Sequence, residues 1–208
     1  MQRHHRGKEV HFVVSDKWSE SSQPSDHPAR HWDKPWKGHW HLLTFDIPVS
    51  RHRDRMILWR QLSDRNIGNL QQSVWIWPHD LRPSLAEILK ATGIPECFAA
   101  FVAHDLYLCT QQEVVASSWD FEAIHSAQGS YVELVRKLQQ EVRRPISFNR
   151  LAEIGRQEWR SYHGAMERDP LLPRKLWPVD YLGEKTFTHH RKFRTEFGRQ
   201  LREAIHTQ

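Results

Sequence analysis

Cysteine is scarce in this sequence. The 208 residues contain only Cys97 and Cys109, and their spacing fits neither a metal site nor a redox pair. The sequence therefore gives no support to a disulfide-stabilised secreted fold or to a zinc module. We predict two reduced thiols in the core of a cytoplasmic protein.

Long apolar runs and familiar catalytic motifs are missing as well. No stretch is apolar enough to cross a bilayer, and no charged-then-apolar start resembles a signal peptide, so we predict no membrane association. There is no Gly-rich phosphate loop, no nucleophile elbow and no recognisable Cys/His pair. The histidines near the start lack ligand spacing, which predicts no metal there. A non-enzymatic protein without a cofactor is the favoured interpretation.

Positive charge and tryptophan are what the sequence has in excess. The formal net charge is +5, the pI is near 9.4, and the chain contains ten Trp and fifteen His. Such a charge favours anionic partners, either nucleic acid or phosphorylated ligands. An ordinary solvated basic surface is the alternative explanation. The tryptophans predict cores and interfaces built from large aromatic surfaces.

Residues 1–37 are predicted to be an N-terminal strand and linker, and residues 38–110 a ferredoxin-like domain. After a stretch rich in Ser, Pro, His and charge, the pattern becomes strand, helix, strand pair, helix and strand. Ser50 is the expected cap of the first helix, whose apolar side includes Met56. Ser84 and Glu87 form the expected capping box of the second helix. This order predicts a split βαβ fold with two helices on one face of an antiparallel sheet.

Residues 111–208 are predicted to form a mainly α-helical domain, which makes the whole chain α+β. Ser130 and Glu133 are the expected capping box of a helix through YVELVRKLQQEV. In SFNRLAEIGRQEWRSYHGAM, Trp159 is expected on the buried stripe. The prolines between positions 170 and 178 exclude regular structure there, and aromatic residues four apart predict a last packed helix.

Two separated stretches carry a resemblance to one family. WKGHWHLLTFDIPVSRHRDRMILWRQL followed by GNLQQSVWIWP resembles the middle domain of the phenylacetic-acid catabolism repressor (PaaX) family. EWRSYHGAMERDPLLPRKLWPVDYLG looks like the C-terminal domain of the same family. The two matches occur in the order that the family shows.

The resemblance implies a homodimeric transcriptional regulator that is released from DNA by an acyl-CoA effector such as phenylacetyl-CoA. The sequence departs from the family pattern in one respect, because the first forty or so residues lack the pattern of an N-terminal winged helix. Either the chain is a shortened relative, or the start lies upstream. Nucleic acid would then be bound directly or through a partner protein.

Asp46, which ends the first strand of the predicted domain, is the residue with two competing roles. The resemblance extends to the small ferredoxin-fold subunit of CRISPR adaptation complexes, where an Asp at this place can hold a metal at a two-fold interface. Two copies of Asp46 could bridge Mg²⁺ or Mn²⁺ and support a metal-dependent nuclease. In the competing role, Asp46 terminates the strand and pairs with an Arg of the next helix.

The basic residues form two populations. The first helix of the predicted domain carries a cluster that is a candidate for phosphate contact or for pairing with Asp54 and Asp64: Arg51, Arg53, Arg55, Arg60 and Arg65. Arg143 and Arg144 are candidates for binding phosphates in the helical domain. The effector-binding candidates are Trp159, Arg160, His163 and Arg191. For Trp159 and Arg160 an architectural role competes with ligand contact.

Overall fold

The computed structural model of the protein describes residues 2–6, 9–13, 28–92 and 98–206. Strands β1 (Gln2–Arg6) and β2 (Glu9–Val13) form an antiparallel hairpin, and a short helix, α1 (Ala29–Trp32), precedes the main sheet. No winged helix occurs in the residues described before the main sheet. Within the described ranges, no helix has the length and apolar character that a membrane span needs.

The first domain has the predicted ferredoxin-like topology. Its elements in chain order are β3 (Trp40–Phe45), α2 (His52–Ser63), β4 (Gly68–Gln71), β5 (Val74–Trp77), α3 (Arg82–Thr92) and β6 (Phe98–Ala103). The strands lie in the order β4-β5-β3-β6, and each neighbouring pair is antiparallel. This order is that of a split βαβ sheet, so the predicted fold class is confirmed.

The rest of the chain is helical, as expected. It comprises α4 (Gln111–Ser118), α5 (Phe121–Val142), α6 (Phe148–Met166) and α7 (Gly183–His206), with one 3-10 turn at Arg174–Leu176 in the proline-rich segment. Helices α5, α6 and α7 enclose a core that includes Val135, Leu151 and Phe193. Phe197 also lies in this core, so the aromatic residues predicted on the last helix do pack.

Both faces of the sheet are covered by the chain itself. On one face, Leu43 and Trp75 pack with Leu58 of α2. On the other face, Trp40 and Ile76 join a second core with residues from α4 and the proline-rich segment: Val114, Val115, Leu172 and Leu176. The second core therefore crosses position 110, where the two domains were predicted to meet. The boundaries 1–37, 38–110 and 111–208 remain predictions.

Three helix starts differ from the predicted ones. Helix α2 follows a 3-10 turn and has no side-chain cap, so Ser50 does not cap it. Helix α3 begins at Arg82, before Ser84, and the Asp80 carboxylate accepts the Arg82 N–H at 3.0 Å. Ser130 lies inside α5, which begins after Asp120. At α3 and α5, an aspartate upstream of the expected serine accepts one of the first free N–H groups, so the helix begins earlier.

Three predicted core side chains are exposed. Met56 and Trp159 are 52% and 51% exposed, and Cys109 is exposed as well. Met56 points away from the sheet because Leu58 and Leu62 supply the buried side of α2. Cys97, the other predicted core thiol, lies outside the described residues.

Candidate functional site

Asp46 stands alone at the end of β3. Its side chain is exposed, and among the described residues no hydrogen bond or ion pair reaches it. Arg51 pairs instead with Asp54 at 2.6 Å, so the predicted pairing of Asp46 with an arginine of the next helix is not seen there. No group of three or more His, Cys, Asp or Glu side chains within the described ranges could hold a metal ion. The metal bridge between two copies of Asp46 stays a prediction, because it involves a second chain.

The arginines of α2 are partly neutralised by their own chain. Besides the Arg51–Asp54 pair, Arg60 lies 3.8 Å from Asp64, and Arg65 lies 3.5 Å from Glu87. Arg53 and Arg55 have no ion pair among the described residues. The predicted cluster thus offers only these two side chains without a described acidic partner.

The basic residues after α5 are divided in the same way. Arg143 donates to Glu196 at 3.0 Å, whereas Arg144 is exposed and has no ion pair within the described ranges. Arg150 is bound by Glu141 at 2.6 Å and by Glu153 at 3.1 Å. Of the two residues predicted to bind phosphate here, Arg144 is the one left open.

The predicted effector-binding residues do not converge. Trp159 and His163 are in contact on the exposed side of α6, with ring centroids 3.6 Å apart and ring planes tilted by 41°. Arg160 lines a shallow groove of about 540 Å³ between α5 and α6. Arg191 lies over the ring of Phe187 on α7 at 5.9 Å. These residues therefore occupy different surfaces of the helical domain.

A buried carboxylate takes the place in α6 that was expected for Trp159. Glu158 is 3% exposed, and its Oε1 accepts hydrogen bonds from the Tyr131 hydroxyl at 2.6 Å and from His190 Nδ1 at 2.7 Å. Burial and the Glu158 charge raise the pKa of Tyr131, so the phenol remains a donor. This network ties α5, α6 and α7 together. The sequence contains the signal for the burial of Glu158, because Leu151, Ile154 and Glu158 follow one another at helical spacing and so share one face of α6.

A second buried carboxylate, Asp169, fixes the proline-rich segment. It accepts hydrogen bonds from Trp32 Nε1 at 3.2 Å, Gln128 Nε2 at 3.4 Å, the Leu171 N–H at 2.9 Å and the Tyr181 hydroxyl. Burial raises the pKa of Asp169, and the four donors oppose that rise. The residues before β3, α5 and the start of α7 are thereby held around one group.

A cavity that combines aromatic and cationic side chains lies beside the start of α7. It has a volume of about 440 Å³. Trp177 and Tyr181, whose ring centroids are 4.8 Å apart, form an aromatic wall. The remaining lining residues are Pro178, Val179, Leu182, Glu184, Lys185, Thr188 and His189.

Cationic side chains lie at and around this cavity. Partial burial lowers the pKa of His189, and the nearby Arg136, Lys192 and Lys185 lower it further. Glu184, the acidic residue of the lining, is already bound by Arg174 at 2.8 Å. The N-terminus of the long helix α7 adds its partial positive charge at the same place. The arrangement can take an anionic ligand that also carries an apolar or aromatic group. The sequence did not indicate this site, because Trp177 and Lys185 lie on different elements and the turn between them brings both to one cavity.

Comparison with known proteins supports the assignment of the first domain. The family model of the PaaX protein central Cas2-like domain matches residues 33–115. The predicted PaaX-type middle domain is therefore confirmed.

A solved structure agrees with the fold of the larger part of the chain. The uncharacterized protein Rv0674 from Mycobacterium tuberculosis superposes with a TM-score of 0.54 at 19% sequence identity, covering 86% of this chain and 69% of the other. At this identity the likeness establishes the fold alone. No curated protein matches the chain.

Proposed function

We propose that this protein is a cytoplasmic regulator of the PaaX type, a homodimer that binds nucleic acid and responds to an acyl-CoA effector. The match of residues 33–115 to the PaaX central domain supports the class. The cavity beside α7 is the single observation that carries the effector proposal, because its lining combines an aromatic wall with positive charge.

An acyl-CoA thioester has two parts that suit the two sides of this cavity. The acyl group, phenylacetyl for example, would pack against Trp177 and Tyr181 by offset or edge-to-face contact. The phosphates would bind Lys185 and His189 and extend toward Arg136 and Lys192. The cavity volume of about 440 Å³ lies within the usual range for small-ligand sites and would hold part of the ligand.

The nucleic-acid side of the proposal depends on cations that the chain does not neutralise itself. Arg53 and Arg55 on α2, together with Arg144, are the predicted phosphate-binding residues without an ion pair in the described ranges. The net charge of +5 supports attraction to a polyanion. So few unpaired arginines would contact the phosphate backbone and position the protein, and would not read the edges of the bases. Sequence recognition would then come from another segment or subunit.

Isothermal titration of the full chain with phenylacetyl-CoA tests the effector proposal. We expect saturable binding, and we expect a K185A/H189A variant to lose affinity at least about tenfold, because hydrogen bonds to charged groups contribute about 1.5–3 kcal/mol each. Lys90→Ala on α3 removes an exposed cation from the other domain and is the matched control. It should bind as the wild type does.

Two outcomes would contradict the effector proposal. If no acyl-CoA gives a heat of binding, acyl-CoA thioesters are excluded as effectors of this protein. If K185A/H189A binds phenylacetyl-CoA with the affinity of the wild type, the cavity beside α7 is excluded as the binding site.

A further inference from the structure

The two edges of the ferredoxin-like sheet differ in how they are protected. The β4 edge is short, carries Asn69 and Gln71, and has an irregular register between them. The Trp119 ring also lies against this strand, so close that a Cβ at Gly68 would be 2.6 Å from it. Polar residues, irregularity and a covering side chain are the usual means of preventing edge-to-edge pairing.

Within the part of the chain that the structure describes, the β6 edge has none of these protections. Its sequence, FAAFVA, contains no charge, no proline and no glycine, and in the described ranges the strand pairs with β3 alone. Phe101 and Val102 are 55% and 47% exposed, on opposite faces of the sheet. Tyr107 and Leu108, which follow the strand, are 85% and 91% exposed. An uncharged edge of this kind is a template for another strand.

We propose that a second copy of this chain covers the edge by antiparallel β6–β6 pairing about a two-fold axis through Ala100. The inference specifies the interface of the homodimer proposed above and rests on that proposal. A second copy suits the edge because the strand is uncharged and a two-fold axis can set its larger side chains opposite smaller ones. Pairing would join the two sheets into one.

The register follows from the alternation of side chains. Residues directly opposite each other in an antiparallel pair point to the same face of the sheet. A two-fold axis normal to the sheet therefore sets odd-numbered residues opposite odd-numbered residues of the partner, and even-numbered residues opposite even-numbered ones. With the axis at Ala100, Phe101 lies opposite the partner's Ala99, and Val102 lies opposite the partner's Phe98. Each large side chain then meets a smaller one. An axis at Phe101 would instead place the two exposed phenyl rings opposite each other.

Disulfide trapping tests the register. In a C97S/C109S background, Ala100→Cys places two thiols at facing positions, where Cα atoms of antiparallel strands are about 4.5–5.5 Å apart and within the range of a disulfide. We expect oxidation to give a covalent dimer. Val102→Cys is the matched control, because its copy in the partner would be about 13 Å away along the strands. It should remain uncross-linked.

Analytical ultracentrifugation tests the interface independently of cross-linking. A lysine at an edge opposes strand pairing, so Phe101→Lys should be monomeric at concentrations where the wild type is dimeric. Met56→Lys adds the same charge at another exposed apolar residue, on α2 and pointing away from the sheet, and should stay dimeric. A dimer that persists in Phe101→Lys, or an Ala100→Cys protein that does not cross-link, overturns this interface.

The same measurements separate this inference from the proposed function. If the wild type is a dimer and Phe101→Lys is also a dimer, the β6 interface fails while the proposed homodimer stands. If the wild type is a monomer, both the homodimer and the interface fail. Effector binding is measured by titration and does not depend on either result.

Discussion

At the scale of single residues, burial decides which polar groups the fold depends on. Glu158 and Asp169 are almost completely buried, and each accepts at least two hydrogen bonds from other elements. Removing a buried acceptor leaves its donors without partners, which costs more than losing an exposed ion pair. We therefore expect each of these two carboxylates to contribute more to the free energy of unfolding than any of the exposed arginine pairs around α2.

His79 is the residue whose environment predicts a dependence of stability on pH. Its Nε2 lies 2.8 Å from the Leu171 carbonyl, and its ring packs against those of Trp77 and His31. Burial lowers the pKa of His79 to about 4, with smaller contributions from the charges of His31, Lys34 and His41. The folded protein therefore binds this proton less readily than the unfolded chain.

The direction of the pH effect follows from the lowered pKa. Because the folded-state pKa lies below the ordinary value of 6.5, the stability contributed by neutral His79 is present above about pH 6.5 and is lost as the pH falls toward 4. Between about pH 7 and about pH 4.5, we expect the free energy of unfolding to fall about 1–2 kcal/mol more in the wild type than in His79→Gln, allowing for solvent screening of a half-buried ring.

Urea denaturation at the two pH values measures this difference. His104→Gln, at an exposed position, serves as the control and should keep the wild-type dependence. Equal losses in the wild type and in His79→Gln would show that His79 is not the group responsible.

The residue scale also shows where the sequence was informative about the site and where it was not. The sequence placed Asp46 at a strand end, where it lies, and the arginines on one helix, which holds for Arg53, Arg55 and Arg60 only. Arg51 belongs to the preceding 3-10 turn, and Arg65 follows α2. Pairing with Asp54 and Asp64 was one of the two roles expected for the cluster, and Arg51 and Arg60 form these pairs. The pair of Arg65 with Glu87 of α3 had no local signal, because it depends on tertiary packing. Trp159 was expected inside on account of its apolar ring, yet the helical phase of α6 places Glu158 there.

At the scale of elements, the existence of helices was easier to predict than their first residues. The periodic apolar positions identified α2, α3, α5, α6 and α7. Three serine-based starts were wrong because aspartate or a 3-10 turn begins the helix earlier. The capping box of α4, in which Thr110 and Glu113 bond each other's backbone N–H groups, is present in the sequence and was overlooked.

Helix α6 provides a matched pair of glycines for testing the packing of the helical domain. A Cβ at Gly155 would be 2.7 Å from the Phe197 ring of α7, whereas a Cβ at Gly164 has no atom within 4 Å. We expect Gly155→Ala to lower the free energy of unfolding by about 1–3 kcal/mol through overpacking. Gly164→Ala should raise it by about 0.5–1 kcal/mol through helix propensity.

Thermal or urea unfolding of the two variants makes this comparison directly. The substitution and the helix are the same in both, so propensity alone would stabilise both proteins. Stabilisation by Gly155→Ala equal to that by Gly164→Ala would contradict the close packing of α6 on α7.

At the scale of the whole molecule, the order of elements along the sequence predicted the strand order of the sheet. It did not predict which segments cover the second face of the sheet. A split βαβ pattern implies one face covered by α2 and α3. Nothing local in the sequence indicates that Val115 of α4 and Leu176 of the proline-rich segment cover the other face at Trp40. Among the described residues, helices and the proline-rich segment pack on both faces of the sheet, and β6 pairs with β3 alone, which is why we propose the β6 edge as the dimer interface.

The central claim is that ligand binding beside α7 controls nucleic-acid binding. Fluorescence anisotropy of a labelled duplex from the region upstream of the coding sequence, at fixed moderate salt and with increasing phenylacetyl-CoA, tests it most directly. The account predicts that the wild type binds the duplex and loses about tenfold in affinity at saturating ligand, and that Lys185→Ala needs far more ligand for the same loss. A duplex affinity that is absent, or unchanged by the ligand, would contradict it.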